Sequence, residues 1–213
     1  MENINLKKED LKQFITSLEY LKHGGNGIIY KYNETEILKL FYYSYFKNYD
    51  SITIDKVIED IIAKTETENI TKILFPNYIN SKRKLYNLVT RLNNTSSNDL
   101  FRGLVLTDNH VIGTILNHYQ NYFSYQELYK KFSFEENVYI MNKLIKLIEE
   151  LLANGIYPTD LKLENVMINK DTLDVKLIDL DDNTTMLTDI RSDYYMYQVA
   201  KRTANIRKKI IKG

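Results

Sequence analysis

Asp160, Lys162 and Asn165 fall within six residues of one another in YPTDLKLENVMIN, residues 157–169, and Asp179 follows in KLIDLDD. A carboxylate, an ammonium and a carboxamide in so short a span put a base, a cation and a hard oxygen donor in one turn. Carboxylate and carboxamide oxygens are the ligands Mg²⁺ prefers, which makes Asp179 and Asn165 candidate metal ligands and Asp160 a candidate base. The plainer alternative is turn chemistry. Asp and Asn favour turns, a Lys between them is solvated, and Asp179, Asp181 and Asp182 form an acidic turn capping a strand.

Other residues fit the same chemistry. KHGGNGIIYK carries Gly24, Gly25 and Gly27 directly before a β-branched run. Backbone N–H groups of such a turn can approach phosphates because no Cβ blocks them, although three glycines also make an ordinary hairpin turn. Lys39 lies inside the apolar run EILKLF and alternates with Ile37 and Phe41. It therefore points to the face of buried residues, where an ammonium needs anionic company. A strand-edge Lys snorkelling to solvent is the alternative. Phosphoryl transfer needs the phosphates held, Mg²⁺ bound and the accepting hydroxyl aimed, and each need has a candidate here.

These segments stand in an order that resembles a protein kinase over roughly residues 18 to 195. HGGNGIIYK is similar to the kinase Gly-rich loop, with Gly24 and Gly27 as its second and third glycines, Gly25 beside them and Ile29 in the Val position. EILKL resembles the strand of the phosphate-binding Lys, here Lys39. TDLKLENVMIN resembles the catalytic loop, which implies Asp160 as base, Lys162 on the transferred phosphate and Asn165 on the metal. LIDLD resembles the Mg²⁺-binding triplet, with Asp179 as its acid. The resemblance implies ATP and Mg²⁺ as cofactors and Ser or Thr hydroxyls of a protein partner as acceptors. It also implies a helical Glu paired with Lys39. Glu66 is the expected residue, Glu59 the alternative, and Glu68 is expected to project away.

Several positions depart from the family pattern. Lys22 replaces the first loop glycine, Pro158 and Thr159 replace the His-Arg of the catalytic loop, and Asp181 replaces the Gly after the metal acid. Thr159 supplies no cation for a phosphate on Thr184, Thr185 or Thr188, so activity is expected without phosphorylation there, with Arg191 and Arg202 the substitutes to consider. Only 34 residues follow Asp179, which predicts a short C-lobe. Two other functions share the resemblance: a pseudokinase or nucleotide-binding scaffold, and a small-molecule phosphotransferase of the aminoglycoside or choline kinase type. Lys162 favours protein substrates over the latter.

The elements that must position these groups follow from periodicity. A short helix is expected to begin in 6–22, then a Gly-rich hairpin, then a helix over 54–74 with Val57, Ile58, Ile61, Ile62, Ile70, Ile73 and Leu74 on one broad side. Phe75, Pro76 and Asn77 end it. Residues 78–120 read as strands separated by polar turns, with NNTSSND the most loop-like segment and HVIGTILNHY the last strand. A helix over 134–153 stops at Asn154-Gly155. VMIN and VKLIDL are short strands, and one or two helices close the chain. The fold class is thus α+β and, with the resemblance, a bilobal protein kinase-like fold: a β-rich N-lobe over 1–119, a short helical C-lobe over 120–213, and a cleft near residue 120.

Composition fits a globular, intracellular chain. Of 213 residues 44% are hydrophobic and 27% charged, enough to bury a real core. Cysteine is absent, which removes disulfides and thiolate sites, and His23, His110 and His118 are too scattered for zinc. A cytoplasmic location is expected, with no signal peptide, membrane span or membrane partner. The net charge of +1 creates no global field toward nucleic acid. The basic tail, with Lys201, Arg202, Arg207, Lys208, Lys209 and Lys212, is the one segment suited to nucleic acid or an acidic partner, a solvated helix face being the plainer reading.

Overall fold

The computed structural model describes residues 2–23, 27–41, 53–74, 81–92, 94–95, 99–180, 184–185 and 192–212. Gly24, Gly25, Pro76, Asp181, Asp182, Thr188 and Arg191 lie outside the described residues. The chain divides into two compact units, Met1–Tyr86 with Phe101–His118, and Asn87–Leu100 with Tyr119–Gly213.

The first unit is built on one sheet. Its strands are β1 (Glu2–Leu6), β2 (Glu19–His23), β3 (Gly27–Lys31), β4 (Glu36–Phe41), β5 (Phe101–Thr107) and β6 (His110–Asn117), in the order β1-β5-β6-β4-β3-β2. Only the β1–β5 pair is parallel; the other four are antiparallel. Asp108 and Asn109 turn β5 into β6 with φ of 47° and 65°, a two-residue connection for which Asp and Asn tolerate the left-handed backbone. One apolar cluster includes Leu38 and Leu40 of β4, Leu11 and Ile15 of α1 (Leu11–Thr16), and Val57 and Ile61 of α2 (Ile54–Leu74). Leu38 and Leu40 alternate with Lys39, which therefore takes the opposite face of β4.

The short helix expected to begin in 6–22 is α1, while two other expectations for this half need correction. Thr16 Oγ bonds Lys12 O and Ser17 Oγ bonds Phe14 O, side-chain bonds that compete with the ladder where the helix ends. Residues 78–120 are not all strands, because Ser81–Leu92 forms α3. Leu85, Leu88, Val89 and Leu92 are buried at helical spacing, and Lys, Arg and Leu all favour helix. The apolar side of α2 is also narrower than expected, since Ile70, Ile73 and Leu74 are exposed.

In the second unit, β7 (Tyr122–Ser124) leads into α4 (Tyr125–Leu128) and the long α5 (Phe134–Ala153). Ser133 caps α5 in a reciprocal capping box with Glu136, and Leu144, Leu147, Ile148 and Leu151 bury its inner face. Next come β8 (Ile156–Tyr157), β9 (Val166–Asn169), β10 (Val175–Leu177), β11 (Thr184–Thr185) and α6 (Ser192–Lys212). β10, β9 and β7 form one antiparallel sheet, and β11 pairs with β8. The fold is mixed α+β. Among the described residues no helix is long and apolar enough to cross a membrane.

Candidate functional site

The turn that carries Asp160, Lys162 and Asn165 begins where α5 ends. Gly155 reverses the chain with φ of 68°, and the Arg91 guanidinium occupies the space a Cβ there would need. Arg91 Nη1 donates to the carbonyls of Asn154 at 3.3 Å and Gly155 at 3.2 Å. β8 follows with Ile156 fully buried, and Leu161 and Leu163, two residues apart, anchor the turn in the core. Asp160, just before the first of these anchors, and Lys162, between the two, stay partly exposed, at 41% and 44% of their side-chain surface.

Side chains then fix the chemistry-bearing groups against one another. Lys162 Nζ lies 2.7 Å from Asp160 Oδ2. Asn165, 8% exposed, donates its Nδ2 to the backbone oxygen of Asp160 at 3.0 Å and to Asp160 Oδ2 at 3.2 Å. Those bonds use the amide nitrogen and leave Oδ1 without a hydrogen-bond donor among the described residues. The β9–β10 hairpin sets Val166 opposite Leu177, and Ile178 N donates to Asn165 O at 3.0 Å. Asp179 is therefore delivered next to Asn165 by strand register.

Asp179 has φ of 60°, in the left-handed region. An Asp tolerates that backbone better than most residues, yet a non-glycine there marks a position whose surroundings over-determine it. Its charge is felt at Lys162. The Lys162 ammonium is held above the ordinary lysine range, first by its hydrogen bond to Asp160 and, against the opposing effect of burial, by the charges of Asp160, Asp179 and Glu164.

No group of three or more His, Cys, Asp or Glu able to hold a metal occurs among the described residues. The donor set at the turn is instead one carboxylate, Asp179, and one carboxamide oxygen, Asn165 Oδ1. Mg²⁺ keeps several waters and takes one or two protein oxygens plus substrate phosphates, so this pair of hard donors fits it.

In the first unit Lys39 is 7% exposed, on a strand paired on both sides. Its register partners are Ile29 of β3 and Thr114 of β6. Ile29 is half-buried, whereas Thr114 is fully buried and its hydroxyl has no hydrogen-bond partner among the described residues. A Cβ on Gly27 would come within 3.3 Å of Lys39 Cγ and Cε and 2.6 Å of Leu40 O. Gly27 thus makes room for the Lys39 chain to lie across it. Lys39 Nζ stands 5.9 Å from the centre of the Phe41 ring. Lys22 is exposed at a register shift in the β2–β3 pair.

The acids of α2 are arranged differently from expectation. Glu66 and Glu59 are both exposed, while Glu68, expected to project away, is 3% exposed. Val57, Asp60, Ile61, Thr65 and Glu68 form one buried line at helical spacing, so Glu66 falls off it. Glu68 Oε2 lies 2.8 Å from His110 Nδ1, and Lys64 stands 3.7 Å from its other oxygen. The sequence reading did not consider Asp60 and turned Glu68 outward. Counting in threes and fours from Val57 would have found both.

The second unit brings Asp160, Lys162, Asn165 and Asp179 together, and the first unit stacks Lys39 over Gly27. Asp193, in the first turn of α6, is exposed. The chain matches no family model and no curated protein.

Proposed function

We propose that this chain is an ATP- and Mg²⁺-dependent phosphotransferase of the protein kinase type, with a bilobal kinase-like fold and Ser or Thr hydroxyls of a protein partner as acceptors. One observation carries the reading: Asp160, Lys162, Asn165 and Asp179 form one hydrogen-bonded and electrostatically linked group in a water-accessible turn. A solvated polar turn would not need Asn165 buried beneath it, nor Asp179 in a left-handed backbone.

On this reading Asp160 Oδ2 takes the proton of the acceptor hydroxyl as its oxygen bonds the γ-phosphorus. The bond from that phosphorus to the β–γ bridging oxygen breaks, and ADP leaves with the electron pair. Lys162 gives up part of its contact with Asp160 to neutralise the transferred phosphoryl oxygens. Asn165 keeps Asp160 oriented through Nδ2, while its Oδ1, with Asp179, would hold Mg²⁺. The bound metal supplies charge neutralisation at the phosphates. Lys39 and the backbone around Gly27 hold the nucleotide phosphates.

The backbone of the segment after Asp179 also bears on regulation. Thr184 and Thr185 pair with Tyr157 and Ile156, directly before the Asp160 turn. Backbone pairing supplies an order that a phosphate would otherwise have to create, which agrees with full activity in unphosphorylated protein.

The test is to incubate the pure chain with γ-labelled ATP and Mg²⁺, with and without a cell lysate, and to map labelled residues. Label on Ser or Thr that disappears with Asp160→Asn supports the proposal. Binding of ATP without transfer to any acceptor would convert the reading to a pseudokinase, and label only on small molecules would convert it to the third function.

A further inference from the structure

The basic tail has an organisation that the phosphotransferase reading does not use. α6 carries six Lys or Arg against the single acid Asp193 in 21 residues, on a chain whose net charge is +1. Its anchoring is slight, with Val199 and Ile206 its fully buried hydrophobics. Diametrically opposite that buried stripe, at helical spacing, run Tyr194, Tyr197, Lys201 and Lys208. All four are exposed, the tyrosines at 58% and 61% of their surface. None of the described cations of α6 pairs with an acid among the described residues.

We propose that this outward face of α6 binds single-stranded nucleic acid. From Tyr194 to Lys208 the line is about 21 Å long at 1.5 Å per residue. It presents what a single strand offers partners for: aromatic faces on which bases stack, and unpaired ammonium groups for the phosphates. Two other anionic surfaces fit it less well. An interfacial membrane helix needs apolar residues at the centre of its outward face, and here Lys201 and Lys208 occupy that centre. An acidic protein segment would match the lysines, but its carboxylate side chains present no aromatic face to the two tyrosines. The whole-chain charge conceals this surface, since the excess on α6 is offset by the acids elsewhere.

The test uses the full chain and fluorescence anisotropy with a fluorescein-labelled oligouridylate of roughly fifteen nucleotides, a length suited to a short stacking platform. Affinity is expected to fall as salt rises. Lys201→Gln with Lys208→Gln should reduce the log–log salt slope by about 1.4, two phosphate contacts at about 0.7 each. Tyr194→Ala with Tyr197→Ala should weaken binding about tenfold or more while leaving that slope unchanged. Because all four side chains are exposed, melting curves of the variants should overlay the wild type. Undiminished binding by either double variant overturns the proposal. So does equal or tighter binding to polyglutamate, or to phosphatidylserine-containing vesicles, at the same salt.

Discussion

In the first unit Lys39 stands inside a sheet with hydrogen-bonded strands on both sides, whereas in the second Asp160 stands in an irregular turn preceded by a strand of two residues. Backbone ladders hold the lysine, and what they demand of its neighbours is room: Gly27 and Gly113 each lie where a Cβ would press on a β4 carbonyl, of Leu40 and Lys39 respectively. The aspartate is held by side chains, those of Asn165 and Lys162, and by the leucines on either side of Lys162. A position set by backbone is sensitive to added volume. One set by side chains is sensitive to their removal, and the loss registers in chemistry before stability.

That contrast can be broken experimentally. The largest expected effect is that of Asp160→Asn, which preserves shape in the turn and removes the proposed base. Transfer should fall by about 10²- to 10⁴-fold with nucleotide binding and melting temperature nearly unchanged. A loss of both binding and fold would mean that the carboxylate is structural. Gly27→Ala is the counterpart in the sheet. The new methyl meets Leu40 O and the Lys39 chain, and overpacking of this kind costs about 1–3 kcal/mol, readable by urea denaturation. A neutral result would show that β3 can shift away from β4, and with it that the backbone does not fix Lys39.

Asn165→Ala removes two hydrogen bonds to Asp160 for a stability cost of about 1 kcal/mol, yet should lower the transfer rate by more than that loss in folded protein explains. Asn165→Asp sharpens the point: it restores an oxygen for the metal but not the donor for Asp160, so a full rescue would assign Asn165 to the metal alone. The smallest effect is expected from Glu66→Gln, an exposed change within about 0.5 kcal/mol of wild type and with normal transfer. Asp60→Asn, on the buried side of the same helix, should be clearly worse in stability.

The same division explains what was legible in the sequence. Periodic helices were: Ile54–Leu74 and Phe134–Ala153 have the bounds their apolar spacing predicts. The group Asp160, Lys162 and Asn165 was legible because its bonds span two to five residues. The setting of Asp179 depends on the Val166–Leu177 register, and an Asp at a strand end does not disclose its backbone angle. α3 was missed although Leu85, Leu88, Val89 and Leu92 carry a helical signal, because polar segments on both sides suggested turns between strands. The partner of Glu68 could not be read locally, since His110 lies 42 residues further on and joins it only through the fold.

Arg91 and Gly155 impose an order on change. A side chain at 155 collides with the guanidinium of Arg91, and φ of 68° resists one even when the guanidinium is gone. Any route through sequence space that replaces Gly155 must first shorten Arg91, and shortening Arg91 first gives up its bonds to the Asn154 and Gly155 carbonyls. Both single steps go downhill. A randomised library covering the two sites together should recover paired replacements that neither single-site library contains, and the pair should behave as one heritable unit.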